Sequence, residues 1–344
     1  MTKPGKNVTS ADVAERAGVS RRLVSMVLNN RGEGQVSAAT RERIEQVAAE
    51  MRYRRSAVAV SLRRQSTRTI GLVTDEIASR PLAGQLIKGA TEAALEHGYM
   101  LLTLDVGHPG VDLQRSVMML EERRVDGVVY ATASRSLIDI VDDAAIPLVL
   151  ANSTPRTSSA IPSFLPDDEG GARAAIALLA EAGHQRITML SGDQGVVAEH
   201  ERERGARLEA AERDVQLDIV RSGWNFDDGF RGATQALNAD NPPTALFCIR
   251  DRVAAGAMQA AAVLGLRVPT DVSVVGFDDE DGFASVLVPA LTTVALPLAE
   301  MGRLAMLNLL GRIEKSDGST DQPTTTVLPC PIIERASVAH PPRP

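Results

Sequence analysis

A small all-α segment followed by a two-lobed α/β body with parallel sheets is the fold class the sequence predicts, on three observations. Residues 1–68 show helical apolar spacing and hold 14 Lys/Arg against 6 Asp/Glu, while the rest of the chain balances at −15. From Thr69 onward short β-rich runs alternate with helical patterns, the signature of strand–helix–strand units. At 344 residues the chain also exceeds what one hydrophobic core usually serves, so two or three folding units are expected.

The first helix opens at Thr9-Ser10-Ala11-Asp12, a Thr cap with an acid three positions on, and carries Val13, Ala14 and Ala17 as its apolar stripe. Gly18 ends it. Ser20 caps a second helix with Leu23, Val24, Val27 and Leu28 inward and Arg22, Ser25, Met26 and Asn29 at helical spacing outward. Two short helices joined by a Gly-containing turn form a helix-turn-helix. Arg21 and Arg22 stand at the start of the second helix, where such a helix enters a major groove and Arg can grip guanine O6 and N7. Ser37 caps a third helix with Ile44, Val47, Ala48 and Met51 inward. Residues 52–68 then hold six arginines around Val58, Ala59 and Leu62, a stripe too short to be helical without a partner. A basic segment on an acidic body fits a polyanion partner for the first part only.

The body offers strands at Thr69 to Val73, Leu101 to Asp105, Gly127 to Tyr130, Pro147 to Ala151, Arg186 to Leu190, Ala245 to Ile249 and Val272 to Phe277. Helices fit Leu82 to His97, Leu113 to Arg124, Glu169 to Ala182, Glu199 to Glu212, Asp227 to Leu237, Arg252 to Leu264 and Leu298 to Arg312. Two such sets imply two lobes, with a ligand cleft at the carboxyl ends of the strands as the default site.

The runs VTSADVAERAGVSRRLVSMVLNN and VSAATRERIEQVAAEMRY resemble the DNA-binding domain of the LacI/GalR family of bacterial transcriptional regulators. The likeness continues to about Ile333 through Ala182-Gly183-His184, Arg202-Glu203-Arg204-Gly205, Val272 to Asp279 and Pro289-Ala290-Leu291-Thr292-Thr293-Val294. It implies a helix-turn-helix domain over 1–55, a hinge helix and linker over 56–68, and a periplasmic-binding-protein-like effector and dimerisation core over 69–340. The lobes would hold roughly 69–166 with 297–325, and 167–294 with 327–340. Expected DNA contacts are Thr9, Ser10, Ser20, Arg21, Arg22, Ser25, Met26, Asn29, Ser37, Thr40 and Tyr53, with Ser56, Ala59 and Leu62 in the hinge, Leu62 as a wedge between central base pairs. The loop from Asn29 to Val36 is longer than usual, Met26 replaces a frequent Arg, and Arg55-Ser56-Ala57 replaces Pro-Asn-Arg at the hinge start.

For the effector the resemblance implies Asn152, Arg202, Trp224, Arg250, Asp278 and Leu298. Arg202 would grip effector oxygens and Asp278 accept hydroxyl protons, a pair suited to a polyhydroxylated or partly anionic molecule. Trp224 either stacks on the ligand or packs as core. Arg250 replaces the family's Asn and has two readings: a second cation that favours an anionic effector, or a partner for Asp278 or Asp279. Leu296 and Leu298 replace polar or aromatic residues.

The expected partners are thus a near-palindromic double-stranded DNA operator, a sugar, sugar derivative or anionic metabolite, and a second copy of the chain as a homodimer. An alternative keeps the DNA-binding role but makes the core a ligand-independent or protein-partner-responsive scaffold. An α/β enzyme has little support, since five scattered histidines lack metal-ligand spacing and no phosphate loop, dinucleotide fingerprint or nucleophile elbow occurs. His184, after Gly183, reads as a partly positive cap on the preceding helix. No cofactor or metal is expected. Cys248 and Cys330 are too few for a disulfide framework and read as buried spacers. No apolar run approaches the roughly 20 residues a membrane helix needs, and residues 1–20 lack a signal or transit pattern, which points to the cytoplasm.

Overall fold

The computed structural model describes residues 8–29, 35–54, 66–75, 83–107, 113–139, 145–157, 160–192, 195–314 and 325–342, and the chain divides into two units, Met1–Thr67 and Arg68–Pro344.

Helix caps set the first unit. In α1 (Ser10–Ala17) the Thr9 N–H donates to Asp12 Oδ2 at 2.7 Å and the Asp12 N–H returns to Thr9 Oγ1 at 3.4 Å, a reciprocal capping box. Gly18 ends the helix at φ 64°, a left-handed turn that favours glycine. Ser20 caps α2 (Arg21–Leu28) through Leu23 N, and Ser37 caps α3 (Ala38–Glu50) through Thr40 N. Val13, Ala14, Ala17, Val24, Val27, Ile44 and Ala48 interlock as one small core, with Leu23, Leu28, Val47, Met51 and Tyr53 packed around it. The expected hinge, with Ser56, Ala59 and Leu62, lies outside the described residues.

The second unit contains two sheets. The first has the order β2 (Met100–Asp105), β1 (Thr69–Thr74), β3 (Gly127–Ile138), β4 (Leu148–Pro155), β5 (Ser163–Pro166), β11 (Thr325–Leu328), all parallel. The second repeats that pattern as β7 (Gln216–Arg221), β6 (Arg186–Ser191), β8 (Ala245–Cys248), β9 (Ser273–Asp278), β10 (Thr292–Ala295), closed by antiparallel β12 (Ile332–Ile333). In each sheet the central strands are buried nearly continuously, as parallel strands covered on both faces must be.

The covering helices are α4 (Ala83–Glu96), α5 (Leu113–Glu122) and α10 (Leu298–Glu314) for the first lobe. The second lobe has α6 (Asp168–Glu181), α7 (Val197–Glu212), α8 (Phe226–Leu237) and α9 (Asp251–Val263). Their Ala- and Gly-rich faces let backbones approach closely: a Cβ on Gly302 of α10 would lie 2.0 Å from the Leu86 carbonyl oxygen of α4.

Two sequence expectations are corrected. Val327 and Leu328 pair with Leu165 and Pro166, so the segment assigned to the second lobe from 327 belongs to the first sheet, and the last crossing falls between β11 and β12. A four-residue strand beside the crossing carries too little pattern to fix its sheet from sequence. His184 is not a charged helix cap. It is buried, its Nδ1 paired with Thr244 Oγ1 at 2.9 Å and its Nε2 with Ser273 Oγ and the Ala339 carbonyl at 3.0 Å each, and burial holds its pKa below the ordinary value. His340 reaches the end of α6 instead, its Nδ1 lying 2.7 Å from the Ala182 carbonyl.

Candidate functional site

The first unit presents the start of α2 to solvent. Ser20, Arg21 and Arg22 are exposed, as are Thr9 and Ser37, while Ser10, Ser25, Met26, Asn29 and Thr40 are half-buried. Ser20 and Ser37 each accept a backbone hydrogen bond at their helix start, and the Ser37 hydroxyl also pairs with Thr40 Oγ1 at 2.9 Å. Asn29 turns back on its own helix, its amide donating to the Ser25 carbonyl and to Ser25 Oγ. Tyr53 packs against the three-helix core. Arg21 and Arg22 thus stand exposed at the start of a helix capped by Ser20.

In the second unit the carboxyl ends of both sheets frame a cavity of about 30 Å³. Five of the six expected effector residues line it: Asn152, Arg202, Trp224, Arg250 and Asp278. Arg202 comes from α7, is 4% exposed, and donates from Nε to Asp168 Oδ1 at 2.9 Å and from Nη1 to the Ile249 carbonyl at 2.6 Å. Its guanidinium lies 3.6 Å from the centroid of the Phe277 ring, and Asp278 is 3.5 Å from Nη1. The group is therefore fixed from three sides. Asp278 ends β9 at φ 114° and receives Arg250 Nε at 2.9 Å, so the pairing reading of Arg250 describes this structure while the side chain still faces the cavity.

Behind Arg250, Asp251 accepts Thr293 Oγ1 at 2.5 Å and the Glu280 N–H at 2.8 Å, yet burial and nearby Asp278 push its carboxyl up to about 8. Asn152, in the left-handed region at φ 57°, is tied to Thr132 by two hydrogen bonds, Nδ2 to the Thr132 carbonyl at 2.9 Å and Thr132 Oγ1 to its own carbonyl at 2.6 Å. Trp224 both lines the cavity and packs on the second-lobe core. Its indole lies over Gly192, where a Cβ would fall 2.3 Å from the ring.

Leu298 is the exception. It heads α10 and is buried in the first-lobe core, and the residue that reaches the cavity is Leu296, two positions earlier. At a helix start the chain turns by about 100° per residue, so a neighbouring position faces a different way. Sequence reasoning also missed Arg135 and Asp168. Arg135 escaped because the strand reading stopped at Tyr130 whereas β3 runs to Ile138, and Asp168 because it looked like an ordinary acid in a first helical turn. Asp168, fully buried, joins Arg202 at 2.9 Å to Arg135 at 3.5 Å.

Among the described residues no cluster of three or more His, Cys, Asp or Glu is arranged to hold a metal, and no helix is long and apolar enough to cross a membrane. Cys248 and Cys330 are free and buried, and burial pushes both thiols up, Cys330 to about 12.

A capped helix-turn-helix and a two-lobed α/β core with a polar cleft define a DNA-binding transcriptional regulator. Residues 9–56 match the model of the bacterial regulatory proteins of the lacI family, and residues 176–338 that of the periplasmic binding protein-like domain. A ribose operon repressor of Haemophilus influenzae is 33% identical over 310 residues, 89% of this chain and 92% of the relative. The transcriptional repressor CytR of Escherichia coli K12 is 31% identical over 335 residues, 96% of each chain. Among solved structures, the lac repressor dimer bound to operator and the anti-inducer ONPF superposes with a TM-score of 0.80 at 29% identity, covering 97% of this chain and 100% of that one. The chain belongs to the lacI family.

Proposed function

We propose that the protein is a transcriptional repressor that binds a near-palindromic operator as a homodimer, its affinity set by a small sugar-like or anionic effector in the interlobe cavity. The observation that carries the effector half is convergence: Arg202, Arg250, Asp278 and Asn152 meet Trp224 around one cavity, polar donors and acceptors beside an aromatic face. The DNA half rests on exposed Arg21 and Arg22 at the start of a capped recognition helix. The operator-bound dimer of the lac repressor is the precedent for two copies on one site. In this division residues 1–55 read DNA, 56–68 form the hinge with Leu62 as wedge, and 69–340 bind effector and partner. Such a protein performs no catalysis and acts where the chromosome lies, in the cytoplasm.

A ligand shifts operator affinity only if it binds the two lobe arrangements unequally. The test is selection of duplexes from a random pool by the full chain, followed by anisotropy titration of the winners. A near-palindromic winner is expected, and Arg22→Ala should relax base preference at one position per half-site by about 1–3 kcal/mol. Recovery of no preferred sequence would overturn the reading; uniform loss over all sequences would mark Arg22 as a phosphate contact.

A further inference from the structure

The cavity wall carries more cation than anion. Arg135, Arg202 and Arg250 face it against Asp168 and Asp278, which leaves one positive charge. Both carboxylates are satisfied from within the second lobe, Asp168 by Arg202 and Asp278 by Arg250, at 2.9 Å each. Three acids behind the second-lobe wall are already engaged. Glu280 is forked by Arg252, Asp279 pairs with Arg335 at 2.7 Å, and Asp251 is held by Thr293 Oγ1 and the Glu280 N–H, with burial raising its carboxyl above the ordinary range.

Arg135 approaches from the opposite side, on the extension of β3 in the first lobe, and meets Asp168 only at 3.5 Å. Its Nε is buried and makes no hydrogen bond. A guanidinium N–H withdrawn from water and left unpaired is a standing cost that a ligand oxygen would remove. The fork geometry of Arg suits a carboxylate, two parallel N–H···O bonds in one plane.

We propose that the interlobe cavity, whose about 30 Å³ has room for only one or two waters in this arrangement of the lobes, widens to take a singly charged polyhydroxylated acid, a sugar acid, and that Arg135 receives its carboxylate. This rests on the effector reading above and narrows its chemistry. One negative charge neutralises the wall, whereas a phosphate monoester, at about −1.5 to −2 near neutral pH, overshoots it. The hydroxyls find Asp278 as acceptor and Arg202 as donor, and the apolar ring face finds Trp224. Because Arg135 belongs to the first lobe and the other charged groups to the second, the acid adds a tie between the lobes beside the 3.5 Å ion pair of Arg135 with Asp168.

Calorimetric titration of the full chain with D-glucuronate, D-galacturonate and D-gluconate, with glucose, galactose and ribose, and with glucose 6-phosphate tests this. At least one sugar acid should bind tenfold or more tightly than its neutral parent. Arg135→Gln should abolish that preference, and Arg135→Lys should restore part of it, since Lys keeps the charge and loses the fork; the Lys variant also serves if Gln fails to fold. Binding of neutral sugars alone, or a preference for the phosphate, overturns the proposal and leaves the effector reading standing. Equal sugar-acid affinity in wild type and Arg135→Gln overturns the role of Arg135. Silence from all three sets, in protein that holds its operator, overturns the effector reading and this proposal with it.

Discussion

Arg202 and His184 show how much a single buried polar residue is asked to do. Arg202 holds Asp168 and lies beside Asp278 in a pocket where water is scarce. Arg202→Met should therefore destabilise the core by about 3–5 kcal/mol in urea unfolding, because it leaves Asp168 buried against only a distant Arg135. Adding Asp168→Asn should recover most of that loss; no recovery would mean that packing on Phe277, not charge, held the stability. His184 gives a pH signature. Its folded pKa lies below the unfolded 6.5, so its contribution is fully present above 6.5 and is lost as pH falls through that value toward the folded one. Melting temperature should drop on acidification from pH 7 to 5, and His184→Gln, which cannot charge, should flatten that slope. An unchanged slope would assign the acid sensitivity elsewhere.

At the scale of elements, the helices of the core are held by close backbone approach more than by large side chains. Gly302 of α10 rests on the Leu86 carbonyl of α4, and Gly311 of the same helix faces open space. Gly302→Ala should cost about 1–3 kcal/mol by forcing α4 and α10 apart. Gly311→Ala should be neutral or stabilise by up to about 1 kcal/mol, since Ala is the better helix former. Thermal unfolding of the two variants side by side separates crowding from propensity. The caps at Thr9, Ser20 and Ser37 and the stop at Gly18 were legible because a cap is a local event, completed within three residues. The long central strands and their helices were legible from period and apolar runs. β5, β7, β10, β11 and β12 were not assigned as strands: β5 and β10 are interior but only four residues long, β7, β11 and β12 lie at sheet edges, and such strands owe their form to neighbours far away in sequence.

For the whole molecule, charge is divided as function requires, with +8 on residues 1–68 and −15 on the rest. DNA affinity carried by arginines releases counterions, so log affinity should fall linearly with log salt, losing about 10³-fold or more between 50 and 200 mM if six or more phosphates are neutralised. Anisotropy titrations across that range measure the slope, and a salt-independent affinity would deny the electrostatic role of the basic segment.

The sequence by itself determined the two units, the three capped helices, the alternation that builds two parallel sheets, and five residues that meet at the cavity. All but the last follow from residue type and near spacing; the five cavity residues were named by the resemblance to the family. Only the tertiary structure decided that Leu296 rather than Leu298 reaches the cleft, that His184 is a neutral bridge to Thr244 and Ser273, and that Arg135 crosses from the first lobe to Asp168. For His184 and Arg135 the physical reason is the same. Orientation and ionisation depend on groups brought together across 33 to 155 residues of chain, and no local pattern records a partner that distant.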